Sequence, residues 1–229
     1  MVSLTAEPAR APEQRLPLSR ERVLLTAIAV ADADGIDAVT MRRVGDELGA
    51  EAMSLYHHVA SKDALLDGAV DLVAREINDA VDQLQPRDDW RSAVRERILT
   101  SREVLLRHRW APRLLATRTA MSLEVVRYHD RLVGLLHDGG FSYDLIHHAL
   151  HALGSRALGF SQELFDPGSG DAAALPSELA ADLPFLVAML GEVAHDDPDS
   201  TLGWCDDQTE FEFGLDLLLD GLERRRTAS

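Results

Sequence analysis

Residues 40–59 read Thr40-Met41-Arg42-Arg43-Val44-Gly45-Asp46-Glu47-Leu48-Gly49-Ala50-Glu51-Ala52-Met53-Ser54-Leu55-Tyr56-His57-His58-Val59, and the spacing within this run decides the fold. Thr40 is an N-cap residue, able to accept a hydrogen bond from the first free amides of a helix. Behind it Met41, Val44 and Leu48 keep helical spacing, and Gly49 stands where a left-handed residue stops the helix. After Gly49-Ala50-Glu51 a second short amphipathic stretch, Ala52 to His58, turns Leu55 and Val59 inward. Two short helices across a glycine-containing turn form the helix-turn-helix unit, whose second helix is offered to the DNA major groove. Spacing alone leaves another small helical bundle open as an alternative. Residue types favour the first reading. Ala52, Met53, Ser54, Tyr56, His57 and His58 crowd the outer face with small, hydroxyl, aromatic and imidazole groups, where a merely solvated face would be rich in Lys and Glu.

Working outward, Ser19 caps a helix whose Leu24, Ala27, Ile28 and Ala31 fall at i, i+3, i+4 and i+7 and which ends at Gly35. Ser61 caps a fourth helix running from Lys62 to about Leu84. Residues 1–17 hold three of the nine prolines and no apolar periodicity, and are expected to be a flexible arm. From Trp90 onward no strand-like alternation occurs, so the remainder is predicted to be helical. Helices are expected from Asp88 or Asp89 through Leu106, over Trp110–Arg118, Leu123–Leu136, Tyr143–Phe165 and Ser177–His195, and from Asp206 to Arg225. The fold class is therefore all-α, with an arm at 1–17, a three-helix helix-turn-helix domain at 18–64, and a helical domain at 65–229 reached through the linking fourth helix.

Composition sets limits on function. Of 229 residues 46% are hydrophobic and 27% charged, a soluble globular balance, and no apolar run approaches the ~18 residues of a membrane span. The start of the chain lacks the apolar segment of a secretory signal, and the lone Cys205 cannot form an internal disulfide, which together point to the cytoplasm. The formal net charge is -16, adverse for a polyanion partner. Its distribution is uneven: residues 1–75 carry eight basic and twelve acidic side chains, a net of -4, and the rest carries -12. Any DNA must therefore be met by the first third, through Arg42, Lys62 and the helix-start amides near Thr40 and Ser61.

The segments Leu18-Ser19-Arg20-Glu21, Gly35 to Arg42, Leu48 to Val59 and Lys62-Asp63-Ala64-Leu65-Leu66 resemble the N-terminal domain of the tetracycline-repressor (TetR) family of transcriptional regulators. The match runs without a gap over about fifty residues, and its Leu-Tyr-x-His-Val core followed by Lys is distinctive. Gly139-Gly140-Phe141-Ser142, Leu158-Gly159-Phe160 and Phe211 to Glu223 resemble the C-terminal domain of the tetracycline-repressor subclass. The resemblance implies a homodimer that binds a palindromic DNA operator and releases it when a small effector enters the C-terminal domain. It implies DNA contacts at Thr40, Arg42, Ala52, Met53, Ser54, Tyr56, His57, His58 and Lys62. The subclass carries Gln-Pro where this chain has Ala52-Met53, so the tetracycline operator is not the expected target.

The last helix has more apolar residues than one core-facing stripe uses. Phe211, Leu215, Leu218 and Leu222 make a stripe that Phe213, Leu217 and Leu219 broaden, and Ala149, Ala152, Leu153 and Ala157 of an earlier helix would permit close approach. A central helix buried within one chain explains the surplus as well as pairing between chains does. The resemblance favours a four-helix dimer interface of Ala149, Ala152, Leu153, Ala157, Phe211, Leu215, Leu218 and Leu222.

The resemblance also implies an effector pocket lined by His108, Trp110, Leu114, Leu115, His129, Leu132, His151, Phe160 and Gln162. Leu115 and Leu132 stand where the tetracycline repressors place a magnesium-linked histidine and a glutamine. A hydrophobic or aromatic effector that needs no Mg²⁺ is therefore expected. His147 and His151 have the i, i+4 spacing of a metal pair, but no third ligand lies at a metal-site spacing. Glu192 and His195 match one half of a di-iron motif that has no second copy. No phosphate loop, Gly-x-Ser-x-Gly elbow or Cys/His nucleophile pattern is present, so neither a cofactor nor an enzyme activity is expected. A helical sensor or enzyme that keeps this fold without binding an operator is the alternative.

Overall fold

The computed structural model describes residues 17–117, 122–158, Phe185 and 207–228. Among them lie nine α-helices, a short 3-10 helix at Ile36–Ala38 and no strand: α1 (Arg20–Asp34), α2 (Met41–Leu48), α3 (Ala52–Leu55), α4 (Lys62–Val81), α5 (Trp90–Arg107), α6 (Ala111–Thr117), α7 (Leu123–Asp138), α8 (Tyr143–Leu158) and α9 (Asp207–Ala228). Residues 1–16 of the arm expected at 1–17, and the helix expected at 177–195 apart from Phe185, lie outside the described residues. The chain divides into two compact units after Ala69.

In the first unit local chemistry sets the helix ends. The Ser19 hydroxyl accepts from the Arg22 amide at 3.2 Å, Thr40 from the Arg43 amide at 3.0 Å, and Ser61 from the Ala64 amide at 3.1 Å. Gly49 ends α2 in the left-handed region at φ 62°. A core of Val23, Leu24, Ala27, Val39, Val44, Leu55, Val59 and Leu65 is closed to solvent. The second helix of the motif is shorter than its sequence suggests: only Ala52–Leu55 is α-helix, and the chain continues to His58 in turns.

In the second unit the core joins Val94 and Ile98 of α5, Leu132 and Leu136 of α7, Ile146, Ala149 and Leu153 of α8, and Phe211, Leu215, Leu219 and Leu222 of α9. Asp89 caps α5 through the Ser92 amide at 2.8 Å. Along the α5–α9 seam, Arg95 bridges Glu212 at 2.6 Å and Asp216 at 2.9 Å, and Arg91 pairs with Asp220. Buried Asn78 of α4 donates to the Glu124 carbonyl oxygen at 2.9 Å and its carboxylate at 3.0 Å, tying α4 to the start of α7.

The single chain already uses most of the expected dimer stripe in its own core. Phe211, Leu215 and Leu222, with Ala149 and Leu153, are buried inside this chain, and Leu218 packs half-buried against the same core. The apolar side chains that α9 leaves exposed are Phe213 and Leu217, at 62% and 54%. The helical repeat explains the exchange, because one stripe of α9 is used by α5, α7 and α8 and the surplus falls on the other side. Ala152 is half-buried, and the side chain of Ala157 lies outside those described.

Candidate nucleic-acid interface and effector cavity

The outer face of the helix-turn-helix is assembled by a close approach of α2 to the turn. A Cβ on Gly45 would stand 2.8 Å from the Ala50 carbonyl oxygen and 3.3 Å from the Ala52 amide nitrogen, so glycine lets the start of α3 lie directly against α2. With Leu55 and Val59 inside, Met53 is 71% and Tyr56 44% exposed. Thr40, Arg42, His57 and Lys62 are exposed as well, while Ala52, Ser54 and His58 are half-buried. Arg42 projects almost fully into solvent and lies only loosely against Asp46, at 4.0 Å. Arg43, by contrast, is held by Asp34 at 3.1 Å and Glu47 at 3.0 Å. The Ser54 hydroxyl donates to the Glu51 carbonyl oxygen at 2.6 Å, so its proton already serves the helix start.

The second unit encloses a cavity of about 250 Å³ among α4, α5, α6, α7 and α8. Its wall takes Ala74 and Ile77 from α4; Ile98, Ser101 and Leu105 from α5; Leu115 from α6; Val125, Tyr128, His129 and Leu132 from α7; and Leu150, Leu153 and Gly154 from α8. Most of this lining is hydrocarbon, and Ser101, Tyr128 and His129 supply the polar side chains.

Of the residues expected to surround an effector, Leu115, His129 and Leu132 line this cavity, and His108, Trp110, Leu114 and His151 do not. His108 would extend the Ile98, Ser101, Leu105 stripe by one more step. The helix stops before it, however, and its backbone turns away at φ -116°, ψ 61°. Its ring is buried with Nε2 3.2 Å from Glu76, which also accepts from Arg107 at 2.6 Å. Burial pushes the Glu76 carboxyl up, but hydrogen bonds from Arg107 and His108 outweigh it and hold it below its ordinary value. Trp110 is buried with its ring edge toward His108, at 6.1 Å between centroids. Leu114 is half-buried. His151 is exposed beside His147, at 4.7 Å between rings, while its neighbours Leu150 and Gly154 face the cavity. No group of three possible metal ligands occurs among the described residues. Phe160 and Gln162 lie outside them.

Ser101, Tyr128 and Leu105 went unnoticed in the sequence. The α5 register from Ile98 could have found Ser101 and Leu105. Tyr128 sits beside His129 on α7 and carried no distinguishing signal.

Comparison with known proteins gives this geometry its context. The family described as "Bacterial regulatory proteins, tetR family" matches residues 23–69, and "Tetracyclin repressor-like, C-terminal domain" matches 84–226. The chain belongs to the tetR family. This regulator is 28% identical to the HTH-type transcriptional repressor DrrR1 of Streptomyces coeruleorubidus, over 94% of this chain and 80% of that one. It is 30% identical to the class D tetracycline repressor of Escherichia coli, with 92% of each covered. The solved structure of the Streptomyces coelicolor TetR family protein ActR in complex with (S)-DNPA superposes with a TM-score of 0.68 at 29% identity, covering 91% of this chain and 98% of that one. As a tetR-family member the protein is a ligand-responsive, DNA-binding transcriptional regulator. No described helix is long and apolar enough to cross a membrane.

Proposed function

We propose that this tetR-family regulator is a repressor that holds a palindromic operator as a homodimer and lets go when a small hydrophobic molecule fills the α4–α8 cavity. The cavity itself carries this reading: an apolar chamber of about 250 Å³ whose wall includes Ala74 and Ile77 of α4. The same helix begins at Lys62 and packs Gly68 against Leu24 of the helix-turn-helix unit. An effector that shifts α4 at its cavity end acts on the element that carries the DNA-binding unit. Half-sites separated by one turn of DNA are then no longer met together. Leu115 and Leu132 cannot ligate a metal, so release needs no Mg²⁺. No catalytic step is assigned.

On the DNA side, Tyr56 and His57 meet phosphates, with Arg42, Lys62, Thr40 and His58 flanking them. Ala52, Met53 and Ser54 face base edges, where Met53 suits a thymine methyl. Two copies join through the exposed Phe213–Leu217 face of α9 together with α8. Selection from random duplexes should return an inverted repeat bound at low salt, and that complex should dissociate in the presence of planar hydrophobic compounds. A chain that retains no duplex at low salt, despite binding such compounds, would instead be a sensor that has kept only the fold.

A further inference from the structure

The arginines of α5 are treated unequally. Arg91 and Arg95 pair with carboxylates of α9, Arg107 pairs with Glu76, and Arg102 donates to Gln208 at 3.0 Å. Arg97 is buried, at 6% exposure, and its Nε and Nη2 atoms meet no acceptor among the described residues. Its guanidinium lies over the Tyr128 ring, with Cζ 4.8 Å from the centroid. Asp82 and Arg131 act on it with opposite signs, and they pair with each other at 3.6 Å. Burial pushes the Arg97 pKa down, as expected for a cation removed from water without a counter-ion. A ring face recovers only part of that desolvation cost.

The ring that carries this charge is also part of the cavity wall. Tyr128 lines the cavity with Ser101, whose Oγ lies 2.7 Å from the Arg97 carbonyl oxygen and 3.0 Å from the Tyr128 hydroxyl. The serine's one proton cannot serve both oxygens. When it goes to the tyrosine oxygen, the tyrosine's own proton is left to turn to an acceptor inside the cavity. Burial pushes the Tyr128 hydroxyl's pKa up, so it keeps that proton at neutral pH. One wall of an apolar chamber thus presents a hydroxyl donor backed by an uncompensated positive charge.

We propose that the ligand of this cavity is a hydrophobic organic acid, whose anionic oxygen accepts from the Tyr128 hydroxyl, itself held by Ser101, with Arg97 behind the ring as its counter-charge. The inference rests on the effector reading above and narrows its ligand class. An anion at the tyrosine hydroxyl supplies the charge that the described residues withhold from Arg97, and a neutral ligand of the same shape leaves the arginine uncompensated.

The test uses the full chain and an isosteric pair, 2-naphthoate and 2-naphthamide, titrated by calorimetry near pH 7.5. Wild type should bind naphthoate at least about tenfold more tightly than naphthamide. Arg97→Met should abolish that preference, lowering naphthoate affinity while leaving naphthamide unchanged or improved. The unliganded variant should melt no lower than wild type, because an unpaired buried cation has been replaced by hydrocarbon. Equal wild-type affinities, no naphthoate binding at millimolar concentration, or a preference that survives in Arg97→Met would each overturn the proposal. If Arg97→Met does not fold, the wild-type ratio and the loss of naphthoate binding in Tyr128→Phe decide it. Operator release separates the two readings. Naphthamide binding as tightly as naphthoate and releasing DNA would sink the acid while leaving the effector role. Preferred naphthoate binding with no change in DNA affinity would do the reverse.

Discussion

Gly45 and Tyr56 show how far single positions reach. The hydrogen that Gly45 carries in place of a side chain admits the backbone of Ala50 and Ala52, and neither backbone can move aside as a flexible side chain could. Gly45→Val should cost about 1–3 kcal/mol of stability in the first unit and weaken DNA binding with it. Chemical unfolding together with electrophoretic mobility shifts would show both effects, and full DNA affinity in a folded variant would contradict the geometry. Tyr56 and Met53 are exposed neighbours with different expected roles. Tyr56→Ala should weaken every duplex by a similar factor, roughly tenfold or more, because a phosphate contact reads no sequence. Met53→Ala should change which base is preferred at one position of each half-site, by about 1–3 kcal/mol. Competition assays across a set of operator variants distinguish a uniform loss from a local one.

Between elements, the α5–α9 seam makes the second unit sensitive to acid. Hydrogen bonds from Gln208 and Arg95 hold the Glu212 carboxyl below its ordinary value, Arg91 does the same for Asp220, and Arg226 for Glu223. A carboxylate with a depressed folded pKa contributes stability that is present above its unfolded pKa and lost as pH falls through the folded one. The melting temperature should therefore be flat from neutrality to about pH 5 and fall below about pH 4, where these groups take up protons. Calorimetry on wild type and Arg95→Met should show the acid-side fall reduced in the variant, since its Glu212 loses a partner that holds its carboxyl down. An unchanged acid limb would mean that the seam contributes nothing to it.

For the molecule as a whole, two expectations follow from the exposed α9 face and the internal cavity. Leu217→Glu should convert a dimer into a folded monomer, because this side chain is 54% exposed in the single chain and is not needed by its core. Leu215→Glu should unfold the second unit, because that position is 1% exposed among α5, α7 and α8. Sedimentation together with circular dichroism separates the outcomes, and a wild-type monomer at micromolar concentration would rule out pairing. Effector and operator must also oppose each other by one factor: whatever an effector does to operator affinity, operator must do to effector affinity. With a net charge of -16, DNA binding depends on a few local cations, and its salt dependence should be shallow for a regulator of this size.

The amino-acid sequence by itself determined the local features. Ser19, Thr40, Ser61 and Asp89 cap because their side-chain oxygens reach the amide three residues on, and Gly49 terminates because it alone tolerates a positive φ without strain. Helical spacing placed Val44, Leu55 and Val59 inside, which leaves the Met53–Tyr56 face outside. Tertiary structure decided the questions that required a choice between faces or partners. α9 offers two apolar stripes, and its own periodicity cannot say that the one through Phe211, Leu215 and Leu219 belongs to this chain's core and the one through Phe213 and Leu217 does not. His108 has the right register for the cavity wall, yet the end of α5 and the Glu76 carboxylate draw it away. Arg97 looks in sequence like its neighbours Arg91 and Arg95. Only the packing of α9 against α5 gives those two their carboxylates and only that of α7 gives Arg97 the ring of Tyr128, because pairing depends on what lies opposite a side chain and that is settled by contacts distant along the chain.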